Sequence, residues 1–397
     1  MKEHVEKLYA LSRKPSRRII GLMSGTSLDG LDVALCHAEG SGPDTRLKVE
    51  HFKTVPYEDG FRNAVREIFA KRQIDFQQLC LLNPFIGLQH GQMILNCLSE
   101  WEVSASEIDL IASHGQTVFH APQKQHGIAG FPNATLQIGD GDHIAVKTGI
   151  ITLSDFRQKH IAAGGEGAPL AVYGDYFLFS QKDENRILLN MGGIANFTFL
   201  PGNLDASQVF TTDTGPGNTL IDAFTRLHFE RPFDENGTIA ASGTIDEALL
   251  NALKNASFFG QLLPKTTGPE VFSVDYVKNA IQLSRRDAIE PKDLMATLTQ
   301  FSAETISEAI RNAMPSGEVF EVYASGGGAH NPVLMGAIGR LLGRDIRLID
   351  ELGVSGDAKE AVLFAVLANE AVAGEAVYFG EKKGVPGVSM GKISFPG

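Results

Sequence analysis

The chain has 397 residues, which is more than one compact core usually supports and therefore predicts two domains. Its hydrophobic fraction of 43% and mean hydropathy near zero are typical of a soluble globular protein. The formal net charge of −12 makes nucleic acid and anionic membranes poor partners, so a polyphosphate ligand would have to be held locally, by N–H groups and a metal ion.

The N-terminus and the cysteines predict the compartment. Residues 1–18 mix both charges and lack a long apolar run, so we expect a short, loosely held extension and no signal peptide. No stretch of the sequence approaches the roughly 18 apolar residues that span a bilayer. Cys36, Cys80 and Cys97 have no CxxC spacing, which predicts reduced thiols. These features indicate a cytoplasmic protein without a membrane partner.

A turn of small and polar residues follows the first predicted strand, Ile19–Met23, and a second strand begins at Val33. Such a turn aims several N–H groups and hydroxyls at one point, which can hold a phosphate; an ordinary polar hairpin turn is the alternative. The only Gly-Lys pair, Gly391-Lys392, does not form a Walker A motif. The candidate phosphate-binding residues are Gly25, Thr26, Ser27, Leu28, Asp29, Gly30, Leu31 and Asp32.

Asp29 is the candidate metal ligand of this turn. A carboxylate at that position can hold hydrated Mg²⁺ next to β- and γ-phosphates, because Mg²⁺ keeps most of its water ligands. Asp32 is equally explained as a solvent-facing strand residue.

The first half continues with alternating helices and strands. Gly60–Ala70 and Phe85–Leu98 have helical spacing of apolar residues, and Ile108–Ser113 is a short buried strand. Polar residues follow that strand at His114, Gln116 and Thr117, the usual position for a site in an open α/β sheet. His114 is also compatible with a purely structural role.

The second half repeats the opening pattern, because strands Arg186–Met191 and Ile194–Leu200 flank the turn Gly192-Gly193. Two such hairpins suggest an internal structural duplication. Gly192 and Gly193 are therefore candidates for a second turn of the same kind, with an ordinary hairpin turn as the alternative.

Asp213 is the candidate general base. It lies between a predicted strand, Gln208–Thr211, and a predicted helix, Thr219–Leu227, in the run Asp-Thr-Gly-Pro-Gly. Two glycines and a proline would fix the direction of the carboxylate, as a general base requires; an Asx turn is the alternative. Asp-Thr-Gly also occurs in aspartic proteases, but that chemistry needs two such carboxylates and the sequence has one such motif.

Three glycines follow a further predicted strand. The amphipathic helix Pro291–Met314 precedes the strand Val319–Tyr323, and helix Val333–Leu342 comes after the glycines. Glycines ahead of a helix let a base or phosphate approach the backbone. The candidate residues are Gly326, Gly327 and Gly328, which do not fit a GxGxxG dinucleotide motif.

Six blocks of the sequence resemble, in order, the anhydro-N-acetylmuramic acid kinases of the actin, hexokinase and heat-shock ATPase superfamily. They span nearly everything from residue 19 to residue 370. The blocks are GLMSGTSLDGLD (21–32), SHGQT (113–117), NMGGIAN (190–196), DTGPGN (213–218), ASGGGAHNP (324–332) and SGDAKEAVLFA (355–365).

The resemblance implies an α/β protein with the two-domain actin-like ATPase (ribonuclease H-like) fold, in which duplicated mixed sheets flanked by helices enclose a nucleotide cleft. Residues 1–18 would be the extension, 19–150 domain I with residues of about 360–397 packed back on it, and 151–359 domain II. It also implies a homodimer.

The implied reaction uses ATP and Mg²⁺ to convert 1,6-anhydro-N-acetylmuramic acid, an intermediate of peptidoglycan recycling, into N-acetylmuramic acid 6-phosphate. Asp213 would be the base, Gly192 and Gly193 would contact the phosphates, and Gly326–Gly328 would lie near the adenosine. Arg157 would face the lactyl carboxylate of the sugar, unless it forms a surface salt bridge. The implied sugar-binding residues are His114, Gln116, Thr117, Arg157 and Gly165.

Two alternatives stay open from the sequence. One is a kinase of the same superfamily that acts on another sugar, and the other is a non-catalytic ATP-binding module. Glu360 lies in a predicted helix, Asp357–Asn369, and has no role that spacing can assign.

Overall fold

A computed structural model describes residues 1–286, 288–314, 317–380 and 385–397. The chain forms two compact units: unit 1 contains Met1–Ser180 and Gly353–Gly397, and unit 2 contains Gln181–Leu352. The first change of unit thus falls after residue 180, later than the boundary expected at 150, and the C-terminal segment belongs to unit 1.

The strands of the described residues are given in chain order. They are β1 (Ser16–Ser24), β2 (Gly30–Glu39), β3 (Arg46–Pro56), β4 (Leu110–Ala121), β5 (Ala134–Ile138), β6 (Thr152–Ser154), β7 (Asn185–Met191), β8 (Ile194–Leu200), β9 (Phe210–Pro216), β10 (Phe320–Ser325), β11 (Ile346–Leu348) and β12 (Lys392–Ser394).

The α-helices of the same residues follow in chain order. They are α1 (Lys2–Arg13), α2 (Asp59–Arg66), α3 (Phe76–Glu100), α4 (Gln123–His126), α5 (Gly141–Thr148), α6 (Phe156–Ala162), α7 (Ala171–Phe179), α8 (Thr219–Phe229), α9 (Thr238–Ser242), α10 (Glu247–Leu253), α11 (Val274–Leu283), α12 (Pro291–Ala313), α13 (Pro332–Leu342) and α14 (Lys359–Ala373). None of these helices combines the length and apolar composition needed to cross a membrane.

The two units contain sheets of the same strand order and direction. In unit 1 the central order is β6-β4-β1-β2-β3, with β12 antiparallel to β6 at the edge and β5 antiparallel to the end of β4. In unit 2 the order is β11-β10-β7-β8-β9. In each sheet the first three strands are antiparallel and the next two run parallel to the first. This duplicated mixed sheet confirms the predicted α/β actin-like fold class.

Helix α14 packs closely on the sheet of unit 1 because β1 has a glycine at the point of contact. A Cβ atom at Gly21 would stand 2.0 Å from the carbonyl oxygen of Ala361, so only glycine permits the observed approach. On α3, Leu82, Ile86 and Ile94 are buried and complete the core of this unit.

The core of unit 2 lies around α12, whose apolar stripe is buried as its spacing predicts. Phe301, Ile306 and Ile310 are fully buried. The second helix of this core, α13, begins at Pro332 after the cap residue Asn331, whose side chain accepts hydrogen bonds from the N–H groups of residues 333 and 334.

Three local predictions from the sequence differ from the structure. Residues 1–18 were expected to be loosely held, but they contain α1 and the start of β1, and Leu11 and Arg17 are buried. Helix α3 begins before Phe85, because the Asp75 side chain caps it by accepting from the N–H groups of residues 77 and 78. Finally, Asp213 lies inside β9, whereas the sequence placed it after the strand.

Candidate active site

The turn between β1 and β2 presents small polar side chains to solvent. Thr26, Ser27 and Asp29 are exposed, whereas the side chains of Leu28 and Leu31 are buried in the core. Leu28 has a φ of +60°, a left-handed conformation that costs a non-glycine residue about 1–3 kcal/mol. Burial of this leucine anchors the turn, so only its backbone is available to a ligand.

A buried polar chain (His90, Tyr57, Ser24 and Gln116) supports this turn from below. The Tyr57 hydroxyl is 2.9 Å from His90 Nε2 and donates to Ser24 Oγ at 2.7 Å. Ser24 donates to Gln116 Oε1 at 2.5 Å, and Gln116 Nε2 donates to the carbonyl of Gly25 at 3.4 Å. The chain therefore runs from the core of unit 1 to the first residue of the turn.

Protonation in the buried polar chain follows from burial. Burial lowers the pKa of His90 to about 3, so its ring is neutral at physiological pH. Since Tyr57 donates to Ser24, the oxygen of Tyr57 accepts, and the hydrogen-bond network assigns the His90 proton to Nε2. Burial also raises the pKa of Tyr57, which keeps the phenol protonated.

In unit 1, the carboxyl group of Asp32 interacts electrostatically with three other carboxyl groups: Asp29, Asp357 and Glu360. Burial, followed by the charges of Asp357 and Asp29, raises the pKa of Asp32, and a 2.5 Å hydrogen bond from Thr54 opposes the shift. Burial and Asp32 likewise raise the pKa of Glu360. A cation placed among these groups would relieve their repulsion.

Sequence reasoning on its own placed only Asp29 at a metal site. In the part of the chain that the structure describes, no three His, Cys, Asp or Glu side chains are grouped to hold a metal ion. Mg²⁺ commonly binds through one or two carboxylates together with substrate phosphates, and the exposed Asp29 fits that donor set.

His114 and Arg157 are brought together. Arg157 Nε donates to His114 Nε2 at 3.0 Å, and the imidazole ring lies 4.9 Å from the ring of Phe364 on α14. Burial, with Arg157 as a second cause, lowers the pKa of His114 to about 3. The imidazole is thus a neutral acceptor that orients the guanidinium, while Glu360 attracts Arg157 electrostatically.

Three other predicted sugar ligands lie below the surface. Gln116 is fully buried, and its side-chain amide accepts a hydrogen bond from Ser24 and donates to backbone carbonyls. Thr117 is 8% exposed and accepts from Gln137 Nε2 at 3.2 Å. Gly165 is buried, and a Cβ there would be 2.2 Å from the ring of His160. Their geometry supports positioning roles more than direct contact with a sugar.

Asp213 in unit 2 lies in a polar row across the sheet. The register places Ser325, Asn190, Asn196 and Asp213 opposite one another on β10, β7, β8 and β9. Directly opposed residues in neighbouring strands place their side chains on the same face. The two asparagines are half-buried, as is Asp213, so the carboxylate has neutral polar neighbours.

The Asp213 carboxylate is fixed on one side. Its Oδ2 accepts from the N–H of Thr267 at 2.8 Å. Burial raises the pKa of Asp213, and this hydrogen bond opposes the shift. Among the described residues no side chain donates to the other oxygen, Oδ1, which can therefore accept a proton from a substrate or from water.

The glycines of unit 2 lie around the end of β7. The carbonyl of Gly192 accepts from Asn218, and that of Gly193 accepts from Gly217 and Thr219, at 2.8–3.1 Å. A phosphate here would therefore have to bind N–H groups of the turn.

The segment after β10 approaches the same strand end. Gly326 has a φ of +80°, and a Cβ would be 2.7 Å from Asn190 Oδ1, so glycine is required. Gly328 is buried against Met191. Gly326 and Gly327 are exposed, so their backbone is open to a ligand.

Sequence reasoning missed several residues of these two sites. Asn190 and Asn196 each lie three residues from Gly193, a signal that could have paired them with each other. Tyr57 and His90 have no local signal, because they reach the turn only through folding. The same holds for Thr267, which comes from a loop far from Asp213 in the sequence.

Comparison with known proteins assigns the family. The model of the anhydro-N-acetylmuramic acid kinase family matches residues 17–384. A protein of that name from Pseudoalteromonas atlantica is 56% identical over 400 residues and covers the whole of both chains. Another from Bacillus cereus is 36% identical, covering 95% of this chain and 99% of its own. This chain belongs to the anhydro-N-acetylmuramic acid kinase family.

Membership of the anhydro-N-acetylmuramic acid kinase family confirms the resemblance of the six sequence blocks. The chain is a kinase, hence a transferase, and its family implies the use of ATP. The aspartic protease alternative is not favoured.

Solved structures with low sequence identity also align with most of the chain. The activator of 2-hydroxyisocaproyl-CoA dehydratase from Clostridium difficile has a TM-score of 0.41 and 12% identity, covering 89% of this chain and 95% of its own. A hexokinase from Schistosoma mansoni has a TM-score of 0.33 and 9% identity, with 88% and 85% covered.

Proposed function

We propose that this protein uses ATP and water to convert 1,6-anhydro-N-acetylmuramic acid into N-acetylmuramic acid 6-phosphate and ADP. The observation that carries the proposal is the Asp213 carboxylate, in a chain that belongs to the anhydro-N-acetylmuramic acid kinase family. One oxygen of this carboxylate is fixed by Thr267, and its neighbours in the sheet are neutral asparagines. A half-buried carboxylate with a raised pKa is suited to accept a proton from water.

The chemistry couples two bond changes. In the anhydro sugar, O6 is bonded to C1, so no free 6-hydroxyl exists. Water attacks C1 from the face opposite O6, the C1–O6 bond breaks, and its electron pair forms the bond from O6 to the γ-phosphorus as ADP leaves. Asp213 takes the proton of the water, as the base does in inverting glycoside hydrolysis. No separate general acid is required, because the phosphoryl group captures the departing oxygen.

The exposed turn residues between β1 and β2 would hold the phosphates through N–H groups and hydroxyls. Thr26, Ser27 and Asp29 are the accessible members, and Gly192 and Gly193 provide the equivalent turn of unit 2. Asp29 would hold Mg²⁺, which would offset the charge of the triphosphate when bound.

The pair His114 and Arg157 would recognise the acidic sugar. A neutral imidazole holds Nε of Arg157, and this orients the guanidinium towards a bidentate contact with a carboxylate. The lactyl group of the muramic acid supplies such a carboxylate. Gly326 and Gly327 would lie near the adenosine, since their exposed backbone permits close approach.

We also propose a homodimer located in the cytoplasm. The family resemblance supports the dimer, and the three cysteines without CxxC spacing support the cytoplasm. Sedimentation of the purified protein tests the dimer directly.

Release of ADP tests the proposed function. With ATP and Mg²⁺ present, the anhydro sugar should start ADP release, whereas N-acetylglucosamine or no sugar should not. Asp213→Asn should keep the fold and ATP binding but reduce turnover by roughly 10²–10⁴, the usual contribution of a positioned base. Near-native turnover in this variant would remove Asp213 from the mechanism, and sugar-independent ADP release would contradict the proposed substrate.

A further inference from the structure

The loop that ends at Thr267 is attached to β9 next to the candidate base. The N–H of Lys265 donates to Thr212 Oγ1 at 2.9 Å, and the N–H of Asp213 donates to the carbonyl of Lys265 at 2.9 Å. With the bond from Thr267 to Asp213 Oδ2, three consecutive contacts join the loop to the strand.

The side chain of Lys265 ties this segment back to the start of its own loop. Its ammonium donates to the carbonyls of Phe258 at 3.1 Å and Phe259 at 3.4 Å. It also lies 4.4 Å from the centre of the Phe258 ring, within the range of a cation–π interaction. The ammonium thereby links residue 265 to residues 258 and 259 at the start of the loop.

The beginning of the loop is in turn packed on β9. A Cβ at Gly215 would lie 3.0 Å from Cε1 of the Phe259 ring, so the ring covers the strand two residues after Asp213. Phe259 also contacts the rings of Phe272 and Phe301 in the core of unit 2. The anchor of Lys265 is therefore rigid.

We propose that Lys265 is a positioning residue for catalysis, which holds the N–H of Thr267 on the carboxylate of Asp213. This inference rests on the proposed role of Asp213 as the base. Lys265 acts through the backbone of its loop, and its ammonium is bound to carbonyl oxygens of that loop.

The inferred role has a defined effect on the pH profile. A hydrogen bond to the ionised carboxylate favours the charged form, so its loss raises the pKa of Asp213. A base with a higher pKa is protonated over a wider range of acidic pH. Loss of the anchor therefore moves the acid limb of the kcat profile to higher pH.

The charged groups around this anchor are few. Burial lowers the pKa of Lys265, and the charge of Glu308 on α12 opposes that shift. Glu308 and Glu304 both bind Lys254, the residue that follows α10. On the side of Asp213, burial and the N–H of Thr267 determine the titration.

Lys265→Met tests the inference, because methionine keeps an apolar stem over Phe258 and removes the ammonium. We expect kcat to fall by about tenfold and the acid limb to move up by about one pH unit, as the loss of one charge-assisted hydrogen bond predicts. The KM for ATP should stay within about twofold. Lys265→Arg should restore most of the rate.

Lys254→Met is the matched control, since it removes another half-buried lysine of unit 2. Lys254→Met removes the ion-pair partner of Glu308. Because Glu308 still favours the charged form of Lys265, the acid limb of the kcat profile should not move. Thr267→Pro removes the N–H itself, so the acid limb should move up by about the one pH unit expected for Lys265→Met. This second variant tests the hydrogen bond if Lys265→Met does not fold.

The outcomes separate the inference from the proposed function. A folded Lys265→Met or Thr267→Pro variant with native kcat and an unmoved acid limb would overturn the role of Lys265. Native turnover of Asp213→Asn would instead overturn the base assignment on which the inference rests.

Discussion

The first turn of each sheet has the same place in the topology but different support. In unit 1, the turn between β1 and β2 is held from below by the side chains of the buried polar chain. In unit 2, the turn between β7 and β8 is held by backbone N–H groups of residues 217–219, which donate to its two carbonyls. Turns at equivalent positions of the topology are therefore stabilised by different interactions, and different substitutions or pH changes should destabilise them.

Acid should weaken unit 1 much more than unit 2. Burial lowers the pKa of His90 and His114 to about 3, whereas His228 and His330 in unit 2 are exposed. The unfolded chain binds protons near pH 6.5 and the folded chain does not, so stability falls as pH drops below that value. Well below pH 6.5 each histidine should lower the free energy of unfolding by about 1.4 kcal/mol per pH unit, which amounts to about 3 kcal/mol for the pair between pH 6.5 and 5.

Urea unfolding at several pH values, monitored separately for each unit by hydrogen exchange, measures this effect. His90→Gln should remove about half of the pH dependence in unit 1, because glutamine donates to Tyr57 without titrating. An unchanged slope in His90→Gln would contradict a buried neutral His90.

Glycine-to-alanine substitutions should show that backbone contacts stabilise the unit 2 turn. A Cβ at Gly217 would be 2.4 Å from the carbonyl oxygen of Gly192, whereas one at Gly193 would meet only Thr219 Oγ1, the end of a rotatable side chain, at 2.8 Å. Gly217→Ala should therefore destabilise the protein by about 1–3 kcal/mol, and Gly193→Ala by less. Equal losses in chemical denaturation would show that the backbone contact does not support this turn.

Deletion of one hydroxyl group below the unit 1 turn should lower the free energy of unfolding by a smaller amount. Tyr57→Phe interrupts the buried polar chain and should cost about 1 kcal/mol, because Ser24 and His90 each lose a partner. The KM for ATP should rise several-fold with little change in kcat, since the phosphate turn loses its support.

Tyr173→Phe is the control for that experiment. It also removes a hydrogen-bonded tyrosine hydroxyl from unit 1, but this hydroxyl donates to the carbonyl of Pro386. Its KM for ATP should remain native. The same rise in KM for both variants would mean that the buried polar chain has no specific role.

Much of the fold was predictable because it is encoded locally. The strands on both sides of Gly192-Gly193 follow from apolar runs that flank a glycine turn, and helix α12 follows from its apolar stripe. The strand that contains Asp213 was predicted too short, since pairing with β8 extends it through Pro216. Tertiary pairing of this kind has no signal in the local sequence.

The candidate site was predictable only where its residues are close in sequence. The turns and Asp213 were identified because small residues and a carboxylate cluster in short blocks. The contact of Thr267 with Asp213 joins residues from a loop and a strand, and so do the contacts that link His90 and Tyr57 to Ser24. Predicting these contacts requires the packing of whole elements, which periodicity does not specify.

The central claim is that water opens the sugar ring while O6 receives the phosphoryl group, and the reaction in ¹⁸O-labelled water tests it most directly. The label should appear at C1, initially in the anomer inverted relative to the C1–O6 bond, and the phosphate ester should contain none. Label in the transferred phosphate, or retention of configuration at C1, would contradict the mechanism and indicate ATP hydrolysis or a covalent glycosyl intermediate.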